Sequence, residues 1–252
     1  TGASRGLGAA LLRRWLEAGH RVAGCGRRLE PDPDLAAEHR ERVRLDAVDV
    51  ADAAAVERWA AGVLADWGAP DLLVNNAALM NDLAPLWRIP AEEFDRMLAV
   101  NVGASLALTH RLVPGMVARG RGHVVFLGSI AAYTPIPWFA AYAASKAYIK
   151  RFAEGLSREL AGTGVGVTTV HPGGTASEFS DVAGMALDER LEKTLMPAAA
   201  VVDLGLRGAA RGKLNVVTGA LNVLTVWLMR LVPQGLMMRV TGGLYQKLSG
   251  PK

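Results

Sequence analysis

Short apolar runs alternate along this chain with longer stretches in which apolar residues return every three or four positions. The runs at 21–25, 42–46, 71–75, 123–128 and 165–170 are bounded by Gly, Asp, Asn or Pro and predict buried strands. The stretches 6–18, 52–66, 91–119 and 139–161 predict helices, the third broken near Asn101. Gly19 reads as a stop between the first helix and the following strand. Strict alternation of the two kinds implies an α/β fold, with parallel strands joined by right-handed helical crossovers. No repeat or low-complexity linker divides the chain. Residues 1–213 read as one domain and 214–252 as an extension: a last strand in "LNVVTG", then helices over 220–232 and 234–247 separated by Pro233.

Composition adds to this picture without changing it. Of 252 residues, 51% are apolar and 21% charged, enough for a sizeable core. The single cysteine, Cys25, excludes an internal disulfide framework and suits a reducing, cytoplasmic setting. No signal peptide is visible; because the chain opens on Thr1, an upstream targeting segment stays open. The net charge of +4 is uneven: residues 1–203 hold 21 basic and 24 acidic side chains, whereas 204–252 hold seven basic and none acidic. A broad nucleic-acid-binding face is thereby excluded, and any anionic surface would be met by the tail alone.

Candidate chemistry begins at the first residue. In Gly2-x-x-x-Gly6-x-Gly8 the glycines permit tight turns and close approach by an anion, and the helix that follows offers unpaired N–H groups and a positive dipole end. Three glycines also make an ordinary turn, but a strand follows at the usual strand–helix–strand distance. At the end of that strand an acidic residue would bind a free ribose 2′-hydroxyl and a basic one a 2′-phosphate. Here Gly26-Arg27-Arg28 stands, with Arg5 in the first loop, which favours NADP(H); Glu30 lies too far along.

In "YAASK" Tyr142 and Lys146 are one helical turn apart and share a face. The residues four after Tyr133, Tyr148 and Tyr245 are Pro137, Phe152 and Ser249, so no other tyrosine has such a partner. A phenol titrates near pH 10; bringing it to about 7 needs roughly 4 kcal/mol of differential stabilisation, which a nearby ammonium and an oxidised nicotinamide would supply. Such a group exchanges protons with a carbonyl or alcohol oxygen near neutral pH. Ser129 ends a strand thirteen residues earlier, where its hydroxyl would hold the same oxygen, and Asn101 would anchor a water linked to Lys146. Taken singly, each of these residues also has an ordinary structural reading.

Together they resemble the short-chain dehydrogenase/reductase family over about residues 1–213. The family's TGxxxGxG loop appears as Thr1-Gly2-Ala3-Ser4-Arg5-Gly6-Leu7-Gly8, its adenine-side acid as Asp49 followed by Val50, and its NNAG segment as Asn75-Asn76-Ala77-Ala78. Its active-site Asn, Ser, Tyr and Lys match Asn101, Ser129, Tyr142 and Lys146. Its nicotinamide-side loop matches Pro172-Gly173-Gly174-Thr175-Ala176-Ser177, with Ser177 in place of the usual Thr. The resemblance implies a doubly wound parallel sheet in the order 3-2-1-4-5-6-7, with strand 1 truncated because nothing precedes the glycine loop. It implies hydride transfer between NADP(H) and a carbonyl or alcohol, with Tyr142 as acid, Lys146 tuning it and holding ribose, Ser129 polarising the carbonyl and Asn101 supporting a relay. Pairing into homo-oligomers through helices 101–119 and 142–160 is a further family expectation. A nucleotide-binding regulator without turnover and a membrane-surface scaffold stand as the alternatives from other classes.

Two segments bear on substrate. The stretch 178–196 reads as an amphipathic lid, and 131–139 adds Tyr133, Ile136, Trp138 and Phe139 beside Tyr142, giving an apolar pocket for a lipophilic ketone or aldehyde. The same side chains also suit core packing or a subunit contact. The tail's apolar run is too short and interrupted for a membrane span; it either packs on the lid or a subunit, or lies on an anionic membrane surface.

Overall fold

The computed structural model describes residues 1–27, 39, 41–176 and 195–248. Strands β1 (Val22–Gly26) and β2 (Val43–Ala47) pair in parallel. A second parallel ladder runs β3 (Leu72–Asn75), β4 (Gly122–Leu127), β5 (Val165–His171) and β8 (Asn215–Val217), in that order. No ladder joins β1 to β3 among the described residues; residues 1–3 lie between them. The Thr1 nitrogen donates to Val74 O at 2.9 Å and Ala3 N donates to Cys25 O at 3.1 Å. The sequence of neighbours is therefore the expected doubly wound order, with the central place held by three residues.

Helices cover both faces. α1 (Gly6–Glu17) buries Leu11, Leu12 and Leu16. α2 (Ala53–Trp67) starts where Asp52 Oδ1 accepts from Ala54 N and Ala55 N, and buries Val56, Ala60 and Val63. α3 (Ala91–Leu98) passes through a π-helical turn, Ala99–Gly103, into α4 (Ala104–Ala118), so the predicted break falls on Asn101. α5 (Ala140–Glu159) follows a 3₁₀ turn at Ile130–Tyr133. α2, α4 and α5 enclose a core with Leu108, Met116, Val124 and Phe126 at its centre; strands buried on both faces explain its continuous apolar runs.

α6 (Ala198–Ala210) was not marked by the sequence pattern, and glycines such as Gly205 and Gly208 ordinarily weaken a helix. They are contact points instead: a Cβ at Gly205 would stand 2.9 Å from Val170, and one at Gly208 would overlap Val216. β6 (Thr175–Ala176) pairs with β7 (Met196–Pro197), bringing the two ends of the predicted lid together; residues 177–194 lie outside the described residues. α7 (Ala220–Leu231) and α8 (Gln234–Leu248) form the predicted tail pair. α7 buries Val226 but leaves Leu221, Leu224, Trp227, Leu228 and Leu231 exposed. Among the described residues no helix is long and apolar enough to cross a membrane.

Candidate active site

The glycine loop turns because Gly2 and Gly6 adopt φ of 66° and 55°, in the left-handed region. Gly8 packs against it from within α1, where a Cβ would overlap the Gly2 carbonyl oxygen. Arg5 stands at the N-cap of α1 without a side-chain cap, and no acidic residue occupies the first turn, so the positive end of the helix faces the cleft. Asn76 secures the loop: its Nδ2 donates to Thr1 O at 2.9 Å, and Asn76 N and Ala77 N both donate to Thr1 Oγ1.

A cleft of about 220 Å³ opens above this loop, at the carboxyl ends of the strands. Gly2, Ser4, Arg5, Gly6 and Leu7 line its floor; Arg27, Asp49 and Val50 line one end. Ala77, Leu79, Ser129, Tyr142, Lys146, Pro172, Gly173 and Thr175 line the other walls. Of the remaining expected residues, Asn75 points into the core, where its Nδ2 donates to Thr109 Oγ1 at 3.2 Å. Asn101 does not line the cleft, and Arg28 and Ser177 lie outside the described residues. Leu79 and Leu127 line it and were not singled out from the sequence, and Asn76, marked there only as part of the NNAG segment, lines it as well.

Asp49 accepts from Ala51 N at 3.0 Å and from Arg96 at 2.7 Å. Partial burial pulls its carboxyl upward, but these hydrogen bonds and the Arg96 and Arg27 charges outweigh it and hold the group below the usual carboxylate range.

Tyr142 and Lys146 are both buried on α5, and the Lys146 ammonium sits 5.6 Å from the Tyr142 ring centroid. Lys146 Nζ donates to Leu127 O at 2.9 Å, and burial lowers its pKa to about 8. Phe139 stacks on the Tyr142 ring at 4.5 Å, within an apolar cluster that includes Leu83, Met97 and Ile136. Ser129 Oγ accepts from Ala131 N at 3.1 Å, which starts the 3₁₀ turn. Asn101 closes a separate link. Its Oδ1 accepts from Leu79 N at 2.7 Å, and its Nδ2 donates to Leu79 O at 2.9 Å and Ser145 Oγ at 3.0 Å. Ser145 Oγ in turn donates to Tyr142 O at 2.7 Å, tying the π turn to the tyrosine's own helical turn.

A glycine loop and a buried Tyr–Lys pair thus share one cleft, and the short chain dehydrogenase model matches residues 1–185. The chain belongs to the short-chain dehydrogenase family. Among its relatives, the NADP-dependent 3-hydroxy acid dehydrogenase YdfG of Salmonella typhi is 38% identical over 195 residues, covering 77% of this chain and 79% of that one. The structure of a short-chain dehydrogenase from Streptomyces avermitilis is similar over 100% of this chain and 96% of its own, with 28% identity and a TM-score of 0.80. The closed form of serine dehydrogenase complexed with NADP+ is 31% identical, with a TM-score of 0.77, covering 86% of this chain and 92% of that one.

Proposed function

We propose that this short-chain dehydrogenase is an NADP(H)-dependent oxidoreductase that interconverts a carbonyl and an alcohol on a lipophilic small molecule. The observation that carries the reading is the placement of Tyr142 and Lys146 on the wall of the cleft whose floor is the glycine loop. The residues present fit a dinucleotide. The loop has no room for a Cβ at Gly8, and the α1 N-terminus meets the cleft where a pyrophosphate would lie. Arg5 and Arg27 supply guanidiniums for a 2′-phosphate, in keeping with the NADP dependence of YdfG.

Bound there, the nicotinamide supplies or accepts the hydride. The chain's own residues handle the proton and the orientation. Tyr142 gives its phenolic proton to the substrate oxygen in reduction and takes it back in oxidation. The Lys146 ammonium beside the ring favours the phenolate that results, and in a buried site that attraction is poorly screened. Ser129 Oγ holds and polarises the substrate oxygen, while Asn101 fixes Leu79 against the Tyr142 turn.

Apolar surroundings support a lipophilic substrate. Leu79, Val100 and Leu127 line the cleft; Ile136 and Phe139 pack around Tyr142 as core. A second cavity of about 480 Å³ lies between Pro135–Pro137, the alanine face of α5 and Met238 of α8; its lining is mainly apolar, with Tyr133 and Thr134 beside the prolines and alanines. The relatives favour a second reading, a small hydroxy acid, since YdfG and serine dehydrogenase act on acids. Among the described residues Lys146 is the one lining cation at the Tyr142 end. The reading includes self-association through the outer faces of α4 and α5, where Val117 and Tyr148 are exposed, and contact of the α7 face with an anionic membrane surface.

Oxidation of NADPH and of NADH against long-chain 3-oxoacyl, steroid, retinoid and aromatic carbonyls, with 3-oxo acids alongside, tests the substrate reading. The expected outcome is NADPH-driven reduction of the lipophilic carbonyls at least tenfold faster than of the acids. Faster turnover of the acids selects the hydroxy-acid reading.

A further inference from the structure

A buried polar chain runs from α5 to the main chain of Ser129, and its central member is His171. This residue, the last of β5, is wholly buried and does not itself line the cleft. Its Nδ1 lies 3.1 Å from Ser129 O and its Nε2 lies 2.9 Å from Asn215 Oδ1 on β8. Asn215 Nδ2 donates to Glu154 Oε1 on α5 at 3.2 Å, and Glu154 is held in turn by Lys150 and Arg151. Ser129 O and Asn215 Oδ1 both only accept, so the ring bridges the two with a hydrogen on each nitrogen, while a neutral ring donates to one of them alone.

The imidazole also bears on the peptide before Ser129: a Cβ at Gly128 would stand 2.6 Å from His171 Nδ1. On either side of Ser129 the backbone is pinned to the same strand end, Gly128 N donating to Val170 O at 2.8 Å and Ile130 N to Pro172 O at 3.0 Å. The carbonyl of Ser129 accepts from Ala132 N at 3.1 Å within the 3₁₀ turn, and the His171 ring supplies its attachment to β5. Tyr133 meets the ring edge-on at 5.0 Å. The charged groups facing the ring and this tyrosine are Glu154 and Lys150 of α5 and Arg230 of α7, whose guanidinium carbon is 6.0 Å from the Tyr133 centroid.

We infer that His171 is a positioning residue for the reaction. Through Asn215 and Glu154 it is referenced to α5, the helix that carries Tyr142 and Lys146, and through Ser129 O it sets where the serine hydroxyl stands relative to them. Two groups that must grip one substrate oxygen are thereby held in register by a link that contacts neither substrate nor cofactor. This inference rests on the roles given above to Ser129 and Tyr142. Displacement of a reacting group by even an ångström costs rate steeply, so the link should act on kcat and spare cofactor binding.

A double-substitution cycle tests it, with His171→Gln, Ser129→Ala and the pair, read as kcat, KM and the Kd for NADPH. The expected result is a loss of about tenfold or more in kcat for His171→Gln, with the Kd for NADPH changed less than twofold. In the Ser129→Ala background the same change should cost less than twofold. Equal losses in both backgrounds, or a loss confined to cofactor binding, overturn the inference. If Ser129→Ala alone leaves kcat intact, it is the serine's proposed role that fails. Should His171→Gln not fold, Asn215→Ala, which removes the far anchor without touching Ser129, is expected to give the same non-additive pattern, and additivity there is equally contrary.

Discussion

Lys146 is a charge placed where little water reaches: 3% exposed, donating to one backbone carbonyl and lying near one aromatic ring. Burial disfavours its ammonium and brings its pKa from 10.5 to about 8. The unfolded chain therefore binds the extra proton between about pH 8 and 10.5, so this group makes the folded state gain stability as pH rises through that window. Below pH 8 both states are protonated and the burial penalty is fully present. In cofactor-free protein labelled with ¹³C-lysine, the Lys146 side chain is expected to titrate near 8; a midpoint above 10 would remove burial as the tuning force. Asn75 and Asn76 show what could be read at this scale. The motif marks the pair, but only the alternation along β3, with Leu73 and Asn75 buried, assigns Asn75 to the core and leaves Asn76 to hold the loop.

Elements were legible wherever burial follows a simple period. The five strand runs and four helical stretches fall within a residue or two of their observed bounds, and the interruption near Asn101 is a π turn in which that asparagine bonds Leu79 and Ser145. α6 was hidden because glycine signals both chain breaking and close packing, and only the neighbouring Val170 and Val216 decide between them. α7 poses the opposite case. At about 100° per residue, Val223, Trp227, Leu231, Leu224, Leu228 and Leu221 fall in one arc of about 160°, all of them exposed, while Val226 faces the protein. Arg230 flanks the arc, and no acidic residue follows Asp203. Full-length protein is expected to co-sediment with phosphatidylglycerol vesicles, less so as salt rises, and weakly with phosphatidylcholine alone. Replacing Leu224 and Trp227 by Ser should reduce binding at least tenfold. Unchanged sedimentation of that variant would remove the membrane contact; truncation is a poor probe, since β8 pairs with β5.

At the scale of the molecule, one topological fact places the chemistry. Strand order reverses between β1 and β3, and the crevice that opens there at the carboxyl ends is where the glycine loop, Asp49 and the Tyr142 helix meet. The family's motifs marked many of the residues that line this crevice in advance. Their joint geometry was not legible, because it depends on contacts such as Asn76 with Thr1 and Arg96 with Asp49, each spanning more than forty residues. The central claim is that a phenol on this cleft delivers the proton that accompanies hydride transfer. Single-turnover oxidation of bound NADPH by a responsive ketone, in native protein and in Tyr142→Phe, tests it most directly. The account predicts a rate at least 10²-fold lower in the variant, with the Kd for NADPH within threefold of native. Oxidation at the native rate by the Phe variant, with cofactor binding intact, would contradict it.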